Sequence, residues 1–361
     1  MVSESERLHR RVRAFIAASI NPESACEDTF DALATDIARF QFQHVKPVSR
    51  LAKARGISLN APFETSQIPA VPTDVFRYTR VAAHDASDDA ALFRTSGTTS
   101  GARGEHPFRT LETYNAAALA WGQKWLLSGL NSARVISLTP PPEESFDSSL
   151  VHMIALFAER LGGRVTYHLV NGTLDVAGLA EACGSARIEN QPCVLFGTSF
   201  AYVHILDADP PQNLALPAES RAMLTGGFKG KSREVSQVEL RAGIQNVFAI
   251  ADRAVVGEYG MTELSSQLYE TTLMRTQAKH NVYAFPPWMR VTAVDPVTLE
   301  PVSKGEVGIA RIVDLANVDS AVAIQTADQI RELDGSQILL IGRQLGATPR
   351  GCSLAVEEVL G

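Results

Sequence analysis

The 361-residue chain carries 33 Lys and Arg against 40 Asp and Glu, and a formal net charge of −7 argues against nucleic acid or an anionic membrane as its main partner. At 45% hydrophobic and 20% charged residues it has the composition of an ordinary globular protein, long enough for a large core and for more than one domain. The polar start "MVSESERLHRRVRAF" has no apolar signal core, no apolar run nears the roughly 18 residues of a membrane span, and Cys26, Cys183, Cys193 and Cys352 form no CxxC pair, so a cytoplasmic protein with reduced thiols is expected.

Residues 5–55 are predicted helical, with apolar residues at helical spacing in "VRAFIAASI" and "TFDALATDIARFQFQHV". Pro47 and the proline-dotted "APFETSQIPAVPTDVF" break that pattern into an extended lead-in. Four short apolar runs follow, "ARVISLTP", "GRVTYHLV", "QPCVLFGTS" and "SRAMLTGG". Between them lie "SSLVHMIALFAERLG" and "SFAYVHILDA", both with helical periodicity. Strand–helix alternation of this kind predicts an α/β fold with a mostly parallel sheet flanked by helices, and residues just after each strand line the ligand crevice of such sheets. The last eighty residues, with "WMRVTAVDPVTLEPV", "GEVGIARIVDL" and "SQILLIGRQ", are β-rich with turn breaks and predict a small barrel or meander.

The densest chemical signal is "FRTSGTTSGARGEH" at 93–106, in which five hydroxyl residues and three glycines crowd between an apolar approach and a polar segment. A bare backbone with many hydroxyls suits an anion, most often phosphate. The loop is not that of the common nucleoside triphosphatases, which needs a lysine directly after the last glycine, because Ala102 and Arg103 follow Gly101. A flexible surface loop is the competing reading. Three further segments weigh against it. "LTGGFKGK" at 224–231 offers a bare backbone for a flat ring, "EYGMTE" at 258–263 combines an aromatic face, a hydroxyl and two carboxylates, and "QTAD" and "GR" follow at 325–328 and 342–343.

In that order and spacing, together with "GTSFAYVHILD", "DLANVDSAVAI" and "RGCSLAVEE", these motifs resemble the adenylate-forming superfamily of acyl- and aryl-acid ligases. Within it they are similar to the acyl-protein synthetase family, the long-chain fatty acid–luciferin component ligases of bacterial bioluminescence, with phenylacetate–coenzyme A ligases as more distant relatives. The resemblance runs from about residue 90 to the end of the sequence. It implies an α/β large domain with mostly parallel sheets, a small β-rich subdomain and a truncated C-terminal segment. The corresponding division is a helical region at 1–90, a nucleotide- and acyl-binding core at 91–270, a β-rich subdomain at 271–340 and a short remnant with the acceptor-loop cysteine at 341–361.

The implied chemistry is ATP-dependent conversion of a fatty or aryl acid to acyl-AMP, then transfer to a thiol. By resemblance Thr95, Ser96, Gly97, Thr98, Thr99, Ser100 and Gly101 surround the β- and γ-phosphates, and Arg103, where relatives usually have lysine, contacts the leaving pyrophosphate. Tyr259 lies against adenine, followed by Gly260 and Met261. Thr262 reaches the α-phosphate, and Glu263 is the ligand of a magnesium ion, Mg2+, which suits a lone carboxylate because it takes further ligands from water and phosphate. Gly226 and Gly227 form the strip beside the purine, Asp328 accepts the ribose hydroxyls and Arg343 is the hinge-side arginine. Asp328 is preceded by Ala327, where relatives usually have glycine, which leaves a solvated turn aspartate as the alternative. Phe146 and His152 stand at the start of the acyl-binding helix, and Gly197, Thr198 and Tyr202 supply another pocket wall. His152 reads equally as a satisfied core histidine, and His106 as a cap or a phosphate contact.

Most of the superfamily has a mobile C-terminal domain whose last segment supplies a lysine for adenylation. The sequence stops at Gly361 with no counterpart. Adenylation is then expected to lean on Arg103, Lys229, Lys231 or Arg350, to be slow, or to need a partner subunit. Cys352 lies beside Arg350, which favours its thiolate, and by resemblance takes the acyl group as a thioester. A small buried hydrophobe is the other reading of that cysteine. Competing functions are release to coenzyme A or an acyl carrier protein, and a non-catalytic nucleotide-binding subunit; a partner reductase or transferase would receive the product.

Overall fold

The computed structural model describes residues 2–58, 61–96, 102–207, 213–226, 235–275, 278–343 and 350–360, with the backbone alone for 350–352. Helices α1 (Val2–Ile20), α2 (Phe30–His44) and α3 (Lys46–Ala54) lead to the short strand β1 (Val71–Pro72), then to β2 (Ala91–Arg94), β3 (Glu105–Phe108) and α4 (Glu112–Trp125). The alternating stretch comprises β4 (Arg134–Ser137), α5 (Ser149–Arg160), β5 (Val165–Tyr167), β6 (Leu169–Val170), β7 (Thr173–Leu174) and α6 (Val176–Glu189). It continues through β8 (Cys193–Thr198), α7 (Ser199–Asp207), β9 (Arg221–Thr225), α8 (Gln237–Phe248) and β10 (Val255–Tyr259). Strands β11 (Leu268–Glu270), β12 (Val282–Ala284), β13 (Met289–Val294), β14 (Val307–Asp314), β15 (Ala323–Leu333) and β16 (Gln337–Arg343) precede α9 (Arg350–Leu360). The chain forms two compact units, Met1–Trp121 with Met261–Gln267 and Ala284–Gly361, and Gly122–Gly260 with Leu268–Tyr283.

The second unit is the predicted parallel sheet. Strands β5, β4, β8, β9 and β10 lie side by side in that order, all parallel, with β11 antiparallel to β10. Numbered by their sequence order, the five parallel strands run 2-1-3-4-5, a doubly wound arrangement. Their apolar runs have no polar alternation because helices cover them, and the core joins Ile136, Leu195 and Ala222 of the sheet to Leu179, Tyr202, Leu240 and Phe248 of the helices. Local signals start those helices. Ser148 caps α5, Asp175 caps α6, and Ser236 with Glu239 forms a capping box on α8.

In the first unit β13, β14, β15 and β16 form an antiparallel ladder, and β1 pairs parallel with β15. This is the β-rich part expected from the end of the sequence. The motif "QTAD" lies within the 11-residue β15, which has a register irregularity between Gln329 and Ile330. Helix α9 packs on α3 and β1. Its far end is held by Arg50 Nη1, which donates to Val359 O at 3.0 Å, and by an ion pair between Arg55 and Glu358.

Candidate active site

In the first unit the hydroxyl-rich loop joins β2 to β3, which pair Phe93 with His106 and Arg94 with Glu105. Gly97, Thr98, Thr99, Ser100 and Gly101 lie outside the described residues, as do Gly227, Lys229 and Lys231. The base of the loop is closed by reciprocal bonds, Thr95 N to Gly104 O and Gly104 N to Thr95 Oγ1, each 2.9 Å. Arg103 folds back over that base, Nε donating to Thr95 O at 2.6 Å and Nη2 to Arg94 O at 3.4 Å. The end of "EYGMTE" sits against the same place. A Cβ added to Gly104 would lie 3.6 Å from Glu263 Oε1 and 3.1 Å from Thr95 Cγ2, so the Glu263 carboxylate stands directly over the loop base. It is only 6% exposed.

His106 fixes the neighbouring residue. Its Nδ1 is 2.7 Å from Thr262 O, and because a carbonyl only accepts, the proton is on Nδ1. The ring lies against Phe108 and Phe76, and burial pulls its pKa down to about 4, so it is neutral. Of the two roles the sequence left open, the described contacts engage His106 with a main-chain carbonyl. On the ladder, Asp328 stands opposite Arg343, and Thr326 Oγ1 accepts from Asp328 N at 3.1 Å.

In the second unit the register lines up Thr198, Thr225 and Glu258 at the C-terminal ends of β8, β9 and β10, where doubly wound sheets bind their ligands. Thr225 Oγ1 donates to Glu258 Oε2 in a short bond, and burial pushes the Glu258 carboxyl up to about 7. Thr198 Oγ1 accepts from Ala201 N, opening α7, and Ser199 Oγ donates to Gly226 O at 2.6 Å. Tyr259 ends β10 beside the ring of Tyr283, with Gly260 next in the chain. His152 is half-buried on α5, and burial lowers its pKa. Phe146 is 78% exposed, in the loop before that helix.

Tyr202 lies at the start of α7. Its side chain is fully buried, with the hydroxyl within 3.1 Å of Leu195 O and 3.0 Å of Met223 O. The ring presses on Gly197, where a Cβ would lie 2.8 Å from Tyr202 Cε2. Tyr202 thus packs closely against Gly197. Arg350 and Cys352 fall in the first turn of α9.

Sequence reasoning passed over Glu258 and Thr225. The first carboxylate of "EYGMTE" was the available signal, but its pairing with a threonine 33 residues away is a matter of strand register.

No three metal-binding side chains cluster among the described residues. Glu263 fits a cation that draws most of its ligands from water and phosphate, which is the habit of magnesium.

The fold is shared with solved structures. An open conformation of 2-hydroxyisobutyryl-CoA ligase in complex with 2-HIB-AMP and CoA superposes with a TM-score of 0.61 at 14% identity, covering 88% of this chain and 75% of that one. ATP-bound MatB from Rhodopseudomonas palustris gives 0.52 at 15% identity over 72% of this chain, which spans about half (49%) of that structure. In sequence, the long-chain-fatty-acid–luciferin-component ligase of Aliivibrio fischeri is 21% identical over 311 residues, 81% of this chain and 79% of that protein. The profile of the acyl-protein synthetase family, LuxE, matches residues 58–361, which is most of the chain, and the protein belongs to that family.

Proposed function

We propose that the protein activates a carboxylic acid with ATP as acyl-AMP and passes the acyl group to a thiol, Cys352 first. Family membership supports the acid activation. The observation that carries the site is the Glu263 carboxylate over the Thr95–Gly104 base of the hydroxyl loop, a place for a cation beside phosphate. Magnesium held there by Glu263 would neutralise charge developing on the phosphates.

In the first half-reaction an oxygen of the substrate carboxylate attacks the α-phosphorus, forming an O–P bond as the bond to pyrophosphate breaks. Thr262, fixed through its carbonyl by His106, donates toward the α-phosphate, and Thr95, Ser96 and the loop amides cradle the leaving pyrophosphate with Arg103. Asp328 and Arg343 take the ribose end, and Tyr259 with Gly226 the adenine. Gly197, Thr198, His152 and Phe146 border the acid. In the second half-reaction the Cys352 thiolate attacks the acyl carbon and AMP leaves. Cys352 falls in the first turn of α9, and the acceptor role rests on the resemblance. A partner reductase or transferase, an acyl carrier or coenzyme A then takes the acyl group. The reading includes a cytoplasmic location, consistent with free Cys26, Cys183 and Cys193 and with no described helix long and apolar enough to cross a membrane.

The test is acid-dependent exchange of labelled pyrophosphate into ATP across a panel of fatty and aromatic acids. Exchange with one class, lost in Glu263→Gln at unchanged melting temperature, is expected. ATP binding without exchange for any acid would leave only a nucleotide-binding subunit. Intact-mass analysis then separates the acceptors: wild type should gain one acyl mass removable by neutral hydroxylamine, and Cys352→Ser should form acyl-AMP without it. A wild type that makes acyl-coenzyme A but never carries the acyl mass overturns the Cys352 step alone.

A further inference from the structure

Residues 261–267 have no helix or strand, yet they contain both Thr262 and Glu263. A segment without a hydrogen-bonded ladder must have its peptide planes fixed by other means if its side chains are to hold one direction. His106 does this at Thr262 O. The next carbonyl, Glu263 O, is held by Asn317, which lies in the turn between β14 and β15 and is 1% exposed.

Asn317 Nδ2 donates to Glu263 O and to Ala321 O, each at 2.9 Å, and Oδ1 accepts from Ser265 Oγ at 2.6 Å. Two carbonyls face the amide nitrogen, so the amide has only one satisfactory orientation. Asp314 completes the grip, accepting from Ser266 Oγ at 2.8 Å and from Ser265 N at 3.1 Å. The turn is itself anchored from behind. Gln41 of α2 donates to Asn317 O and Val318 O and accepts from Val322 N, and Asp319 accepts from His9 Nε2 of α1 and from Arg109. The bracket is buried and held by two helices.

We propose that Asn317 is a positioning residue for Glu263, fixing the main chain so that its carboxylate stays over the loop base and binds magnesium with ATP. The role rests on the reading above that Glu263 takes magnesium. Asn317 touches neither nucleotide nor metal in this scheme, and its effect is on the direction of the Glu263 carboxylate. A merely structural asparagine would change stability, or all affinities alike; a positioning one changes what magnesium adds.

The experiment is calorimetric titration of ATP into the full chain, once with magnesium and once with EDTA, for wild type, Asn317→Ala and Ser265→Ala, with a melting curve for each. Wild type should bind more tightly with magnesium. Asn317→Ala should lose about tenfold of that gain, in line with residues that orient a metal ligand, while its affinity in EDTA stays at the wild-type value. Ser265→Ala, which removes only the hydroxyl that orients the amide, should lose a smaller part, and it decides the matter if Asn317→Ala does not fold. Folded variants that keep the whole magnesium gain, or that lose affinity equally with and without it, overturn the role. A wild type that gains nothing from magnesium instead overturns the magnesium reading of Glu263, and this role with it.

Discussion

His106 Nδ1 and Thr262 O, 156 positions apart in sequence, lie 2.7 Å from each other inside the first unit. The bond needs a proton on Nδ1, and burial keeps a second one off the ring, with the pKa lowered from 6.5 to about 4. The stability contributed by the neutral ring is therefore present above pH 6.5 and lost as pH falls toward 4. The His106 ring carbons should show no NMR titration from about pH 8 down to about pH 5, where an ordinary histidine changes charge. An inflection between those limits assigned to His106 would contradict the arrangement.

Glu258 titrates with the opposite sign. Its pKa is raised from 4.5 to about 7, so its contribution to stability is complete below pH 4.5 and is lost as pH rises toward 7. Glu258→Gln cannot ionise and should flatten that decline, gaining roughly 3 kcal/mol on wild type across the window. Melting curves at a series of pH values measure it. Parallel curves for the two proteins would show that the carboxyl is not held neutral.

Gly197→Ala should destabilise the protein by about 1–3 kcal/mol, the usual effect of overfilling a packed core. The added Cβ meets Tyr202 Cε2 at 2.8 Å and Leu138 Cδ1 at 3.1 Å, and Tyr202 is tied down by its hydroxyl. A denaturant midpoint equal to that of wild type would mean that the ring moves aside freely.

Asp328→Ala should weaken ATP binding far more than acid binding, by about 1.5–3 kcal/mol for each hydrogen bond lost to the charged carboxylate. Separate titrations with ATP and with the acid that supports exchange distinguish the two. Loss of acid affinity with ATP affinity intact would remove Asp328 from the ribose.

What the sequence made legible was local. Apolar runs ending at Ser137, Thr198 and Thr225 read as parallel strands because burial on both faces leaves an unbroken hydrophobic signature, and each run is a strand of the second unit. Asp328 was legible as a motif residue but not as part of a strand, since "QTADQ" lacks the apolar alternation that the flanking residues of β15 supply. The bracket around Glu263 was not legible at all. Asn317 meets Ser265 across 52 positions and Gln41 across 276, and an asparagine in "DLANVDS" carries no local sign of which carbonyls it will bond. Tyr202 shows the same limit, because an aromatic just past a strand can face either side until its helix is docked.

The segmentation of the first unit has a consequence for synthesis. Its early helices find their partners late in the chain: α3 packs on α9, β1 pairs with β15, and Gln41 bonds the turn at Asn317. The parallel sheet, by contrast, takes nearly all its residues from one continuous stretch, Gly122–Gly260. On a ribosome, where domains fold as units in the order in which they emerge, the later-starting unit is the first able to close. The opening helices complete their packing only once β15 and α9 have been made.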